Sequence, residues 1–173
     1  MIVKLAEADL KTKYGDYHEI LFYDGQKESI ALIMGEVKGE EGVLCRVHSS
    51  CIFAHNFNSI ECDCREQMEI SQQLIQKEGK GIIIWLDQEG KGNGHFALLK
   101  SIHYKNEGLS QAQAYEAAGF KKDARDFMPA AKILGYVGIK SICMLTNNDN
   151  KTEALTRYGV KVSGTKVVAV GQL

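Results

Sequence analysis

Two hydrophobic rhythms run along the 173-residue chain. Up to about residue 50 the apolar positions come in short runs rich in β-branched side chains: His18–Tyr23, Ser29–Met34 and Val43–Val47. Turn-forming residues separate them, so the runs predict strands, and Asp24-Gly25 predicts a hairpin between the first two. Further on, the spacing lengthens. Met68, Ile70, Leu74 and Ile75 mark Glu66–Lys77 as an amphipathic helix, ended by Gly79-Lys80-Gly81. Ile82–Leu86 is apolar throughout, the pattern of a strand covered on both faces. Helices are predicted over His95–Lys105, Leu109–Ala118 and Asp126–Leu134, then a buried strand over Ile139–Leu145. A short helix over Thr152–Tyr158 and closing strands at Val160–Val162 and Lys166–Val170 complete the reading.

The alternation of helix and strand in the second half predicts an α/β fold, a mixed β-sheet layered with helices. No linker-like stretch, repeat or break in composition divides the chain, so residues 1–173 are read as one domain. Open α/β sheets bind ligands outside the carboxyl ends of their strands. Two polar loops are expected there, at 88–94 and 146–151.

Composition changes this picture only at its edges. A net charge of −1 argues against a general attraction to nucleic acid or anionic membrane. No apolar run approaches the roughly 20 residues of a membrane span. The start, Met1 to Asp9, lacks the basic-then-apolar pattern of a secretory signal. The expected location is cytoplasmic, where five cysteines would stay reduced instead of forming a disulfide framework.

Three of those cysteines cluster: Cys51, then ten residues, then Cys62-Asp63-Cys64. Zinc favours thiolate ligands in a tetrahedron, and three protein ligands leave a fourth position for water, as in catalytic sites. The plain alternatives are buried structural cysteines and a four-ligand structural site completed by His48 or His55. Cys45 and Cys143 fall in predicted strands and are read as core.

Around this cluster the chain carries five ordered motifs. They are Arg46-Val47-His48-Ser49-Ser50-Cys51, Cys62-Asp63-Cys64-Arg65-Glu66-Gln67, Gln88-Glu89-Gly90-Lys91, Asp123-Ala124-Arg125-Asp126-Phe127 and Leu145-Thr146-Asn147-Asn148. In order and cysteine spacing they resemble GTP cyclohydrolase II, from the N-terminus to about Val170. That family opens the imidazole ring of GTP, releases formate and pyrophosphate, and feeds riboflavin synthesis. The resemblance implies a three-cysteine zinc site, Mg²⁺ for the phosphates and a homodimer. By position, Cys51, Cys62 and Cys64 would hold the zinc. Asp123 would be the proton acceptor and Arg125 the arginine that attacks the α-phosphate. Gln67 would read the base, and Arg46, His48, Ser49 and Ser50 would form a substrate-contacting strand end. Glu89, Gly90 and Lys91 would line the substrate, with Thr146 and Lys151 binding it after the second buried strand. Gln111 aligns with a substrate-binding threonine. Taken alone, Asp123 and Arg125 would read as the charged first turn of an ordinary helix.

The departures from the family gather at the expected phosphate and base contacts. Ile52-Phe53-Ala54-His55 replaces Leu-Thr-Gly-Asp, and Glu61 and Asp87 stand where the family has arginines. Lys91 replaces the arginine of Gln-Glu-Gly-Arg, Ile102 aligns with the active-site tyrosine, and the family's C-terminal tail is expected to be missing. Like charges about 4 Å apart repel by roughly 4 kcal/mol at an effective dielectric of about 20, and lysine lacks the arginine fork. The expectation is a zinc-dependent cyclohydrolase that opens a ring of a purine nucleotide, GTP or a relative, by C–N hydrolysis. Two alternatives stand beside it. One is a cyclohydrolase of the same fold with a pyrimidine or less phosphorylated substrate, a nucleoside or nucleotide. The other is a non-catalytic binding protein stabilised by zinc. His55 is either a new acid/base or ligand group or a surface histidine.

Overall fold

A computed structural model describes residues 1–168. Its strands form a single seven-stranded sheet in the order β1-β2-β3-β5-β4-β6-β7. β1 (Val3–Thr12), β2 (Gly15–Tyr23) and β3 (Glu28–Met34) are an antiparallel meander, and β3 lies antiparallel to β5 (Gly81–Leu86). From there the sheet turns parallel through β4 (Val43–Ser49), β6 (Ile142–Leu145) and β7 (Val162–Lys166). The helices are α1 (Ile52–Phe57), α2 (Cys64–Glu78), α3 (His95–Asn106), α4 (Gln111–Ala117), α5 (Met128–Val137) and α6 (Asp149–Arg157).

The period-2 alternation of each central strand divides its side chains between two cores. Val43, Cys45 and Val47 of β4 and Ile82, Ile84 and Leu86 of β5 pack with Ala130, Ile133 and Leu134 of α5. Leu44, Ile83 and Leu145 face the other way, onto Ile70 and Ile75 of α2. Both faces of β5 are therefore covered, which explains its unbroken apolar run: Ile82, Ile83 and Ile84 are all fully buried. Each such side chain contributes about 1.5–3 kcal/mol through burial. Cys45 is buried in this core, as read from the sequence, and Cys143 packs half-buried against the other.

The topology also makes the crevice. From β4 the chain crosses through α2 to β5 on one side. From β5 it returns through α3, α4 and α5 to β6 on the other side of β4. Connections that diverge in this way leave a cleft outside the carboxyl ends of the central strands.

Four expectations need correcting. β1 was not foreseen; nearly all of it is exposed, so no buried alternation marks it, and pairing with β2 alone makes it a strand. The six-residue α1 was missed as too short to show a period. The helix expected from Asp126 begins at Met128, because Asp126 caps the Met128 N–H and its own carbonyl accepts from Gln88. One strand, Val162–Lys166, replaces the two closing strands: Ser163, Gly164 and Thr165 look like a turn but are extended by pairing with β6. Of the last predicted strand, Ala169 and Val170 lie outside the described residues.

Candidate active site

A cavity of about 670 Å³ opens at the carboxyl ends of β4, β5 and β6. Its size falls in the range of roughly 300–1,000 Å³ typical of small-molecule sites. The end of β4 and the turn after it bring Ser49, Ser50 and Cys51 to it, the turn after β5 brings Glu89, Gly90 and Lys91, and the turn after β6 brings Thr146. α2 adds Cys64 and Gln67, α4 adds Gln111, and α6 adds Lys151. Arg46, His48, Cys62 and Arg125 complete the residues expected from the sequence. Asp123 is the exception: it does not line the cavity but stands behind Arg125.

The three cysteines converge from two segments that are not neighbours in sequence. Cys51 precedes α1, while Cys62-Asp63-Cys64 leads into α2. Their sulfur atoms all lie within 4.8 Å of one another, with Cys51 and Cys62 Sγ 3.5 Å apart. Thiolates sharing one zinc at about 2.3 Å in a tetrahedron sit about 3.8 Å apart, so the trio fits that ion. The cluster already favours charge on one sulfur. A hydrogen bond from Cys64 pulls the Cys62 thiol down to about 6, and the same bond pushes Cys64 up. The N-terminus of the 15-residue α2 adds its dipole to that preference.

Beside the thiols a polar network crosses the cavity wall. Arg46 and His48 alternate with core residues along β4, so they share the face that carries α2. Arg46 donates to the Leu145 carbonyl at 3.0 Å and to Gln67 Oε1 at 2.5 Å, and Gln67 in turn donates to Asp63 at 2.8 Å. Both ends of the Gln67 amide are thus engaged by protein. The Arg46 guanidinium approaches His48 Nδ1 at 3.3 Å and can only donate, so that nitrogen is the acceptor and His48 carries its proton on Nε2. His48 Nε2 then donates to His55 Nε2 at 2.9 Å. Burial, aided by the Arg46 charge, holds His48 well below the ordinary histidine range, so it is neutral. His55 is half-buried and paired with His48, not a free surface histidine.

The loop after β5 is built around backbone that glycine makes possible. Gly90 and Lys91 both take left-handed conformations, with φ of 60° and 53°. A Cβ on Gly92 would fall 2.6 Å from the Ala124 carbonyl carbon, so this position must be glycine. That close approach, with the Ala124 N–H donating to the Lys91 carbonyl at 2.8 Å, docks the 123–127 segment on the cavity. Arg125 then forks onto Asp123, Nε to Oδ1 at 2.9 Å and Nη2 to Oδ2 at 2.5 Å. Burial raises the Asp123 pKa, but the hydrogen bonds from Arg125 outweigh it and keep the carboxylate ionised. The segment is a loop, which corrects the helix-start alternative. Glu89 is nearly buried and accepts from the Ile52 N–H at 3.0 Å, so its carboxylate ties this loop to α1.

Charge around the cavity differs from what the departures suggested. Asp87 does not line it; its carboxylate lies 3.4 Å from the Ser50 hydroxyl. Glu61 does line it, but lies 3.9 Å from the ammonium of Lys105, also in the wall. Arg46, Lys91, Lys105 and Arg125 are cationic against the carboxylates Glu61 and Glu89, and the buried Lys151 joins them when protonated. The site therefore favours an anion. Lys105 was missed, as were Gln88, Asn148 and Tyr115. None belongs to a spaced cluster, although Gln88 and Asn148 adjoin residues that were named. Three of the five buried side-chain polar atoms without a partner among the described residues belong to wall residues: Arg46 Nε, Ser49 Oγ and Gln88 Oε1.

A thiol trio and an anion-favouring cavity thus lie together at the switch point of a mixed α/β sheet. The chain belongs to the GTP cyclohydrolase II family, whose model matches residues 3–167. It is 34% identical over 170 residues to a GTP cyclohydrolase-2 of Histophilus somni, covering 97% of this chain and 79% of that protein. It is 37% identical over 164 residues to the riboflavin biosynthesis protein RibBA of Endomicrobium trichonymphae, covering 94% of this chain. The chain spans about two-fifths of the length of that relative (41%). RibBX from A. baumannii, a two-domain 3,4-dihydroxy-2-butanone 4-phosphate synthase, shares the fold at a TM-score of 0.54 and 15% identity, over 97% of this chain and 40% of that one. No helix among the described residues is long and apolar enough to cross a membrane.

Proposed function

We propose that this chain is a zinc-dependent cyclohydrolase that opens the imidazole ring of GTP by C–N hydrolysis. The observation that carries the reading is one cavity whose wall holds three convergent thiols together with Arg125 and further basic side chains. Cys51, Cys62 and Cys64 would hold the zinc, which when bound would supply Lewis acidity for attack on the ring. Arg125, Lys91, Lys105 and Lys151 bind the phosphates, the first with a bidentate fork. Asp123 aims the Arg125 guanidinium into the cavity. When Arg125 turns to a phosphate, the freed carboxylate is placed to accept a proton. Ser49, Ser50, Gly90, Gln111 and Thr146 shape the walls around the substrate, and Gln67 reads the base once it exchanges Asp63 for the ligand. Mg²⁺, which prefers oxygen ligands, would be held by the substrate's phosphates. A homodimer, a cytoplasmic location and a place in riboflavin synthesis belong to the same reading.

The test is incubation with GTP and Mg²⁺, reading formate and pyrophosphate. Formate released in proportion to enzyme supports the proposal, and none above background overturns GTP as substrate. A second reading, a changed ring or a shorter phosphate chain, is favoured by Glu61 in the wall and Ile102 in place of a tyrosine. A panel of purine and pyrimidine nucleosides and nucleotides, followed by loss of ring absorbance, separates the two.

A further inference from the structure

We propose that the Tyr115 hydroxyl, on α4, binds the substrate directly. This rests on the cavity being the substrate pocket.

Tyr115 is 1% exposed, yet its side chain forms part of the cavity wall together with Ile102 and Arg125. Its hydroxyl is not among the sealed-off polar atoms that lack a partner, and no group among the described residues hydrogen-bonds it, so the oxygen opens onto the cavity. A phenol whose ring is packed in protein and whose oxygen meets a cavity is free to donate to whatever occupies it. Tyr17 also has an unpartnered hydroxyl, but it lies in the core beside Ile70 and Ile75, away from the site. Among the described residues Tyr115 is the one phenol in the cavity wall.

Its position is over-determined by local structure. Ser110 and Gln113 form a reciprocal capping box that fixes the start of α4. Gln111 donates to Ser101 Oγ at 3.0 Å, which ties α4 to α3 one residue from Ile102. A Cβ built on Gly90 would stand 3.4 Å from the Tyr115 hydroxyl oxygen. The phenol tip therefore rests against the left-handed turn of the Gln-Glu-Gly-Lys loop, on the side of the cavity that Lys91 and Arg125 share. Burial pushes its pKa up to about 12, with the negative charge of Glu89 adding to the effect. The group is a neutral O–H at pH 7 and acts as a donor, not a base.

The test compares wild type with Tyr115→Phe, a substitution that removes one oxygen and keeps the ring. Binding of GTP, GDP, guanosine and UTP is measured by calorimetry, with turnover read in parallel. The expected result is about 3- to 10-fold weaker binding of whichever compound wild type binds best, as for one lost neutral hydrogen bond. The melting temperature and bound zinc should match wild type. That ligand should also shift the near-ultraviolet tyrosine spectrum of wild type and not of Tyr115→Phe. Adding Ile102→Tyr to Tyr115→Phe should restore affinity by returning a phenol from α3. Equal affinity and turnover in wild type and Tyr115→Phe would overturn the assignment while leaving the pocket intact. If no compound binds wild type, the substrate reading falls and this assignment with it.

Discussion

Lys151 shows how one buried residue couples the fold to ligand charge. It is 6% exposed, and its ammonium donates to the Val47 carbonyl at 3.0 Å. Burial, then the nearby charges of Arg46 and Arg125, lower its pKa to about 7. The unfolded value is about 10.4. Between those limits the unfolded chain binds a proton that the native state sheds, so this residue makes stability rise as pH climbs from about 7. A bound anion acts in the opposite sense and restores the proton. Binding of inorganic pyrophosphate at pH 8 should therefore take up a proton through Lys151. Calorimetry in two buffers of different ionisation enthalpy reads this uptake. Lys151→Met should bind more weakly and take up less. Equal uptake in both proteins would remove Lys151 from the anion site.

At the scale of elements, the site depends on one loop lying on another. The 123–127 segment keeps its shape because Gly92 lets Ala124 approach and the Lys91 carbonyl receives its N–H. Gly92→Ala adds a clash to the strain of a φ of +83°. Gly94→Ala adds strain alone, since φ is +92° and nothing lies within 4 Å of its Cβ. Each should lower stability in urea by more than about 1 kcal/mol. Only Gly92→Ala should also displace Arg125, and it should cut turnover and phosphate affinity far more than Gly94→Ala. Matching losses of activity in the two variants would show that the packing of this loop does not govern the site.

For the whole molecule, the thiol trio would act, with metal bound, as a staple between the end of β4 and the start of α2. A ligand that binds only the native state adds its binding free energy to stability. Chelation should lower the melting temperature, and zinc should restore it. Hydrogen exchange should quicken first in residues 51–66, while β4 and β5, anchored in both cores, stay protected. Cys64→Ser should reproduce the metal-free behaviour. If that variant keeps near one zinc per chain, the ligand set is wrong.

What the sequence by itself determined follows from local rules. β2 to β6 and the longer helices were legible because burial imposes its period on 82–86 and on Met68, Ile70, Leu74 and Ile75 directly. The cysteines were legible because a metal demands several ligands, and their spacing survives as a motif. Tertiary structure decided the rest. β1 and β7 are strands because of their neighbours, not because of their own side chains. Asp87, in line with a phosphate contact by motif, turns to Ser50, and Lys105 comes from α3 to offset Glu61. Tyr115 and Ile102 share a wall only because α4 folds back onto α3. Spacing along a chain records which residues share a helix face or strand edge. Which loops then converge depends on strand order and crossover, and that is set by packing across the sheet.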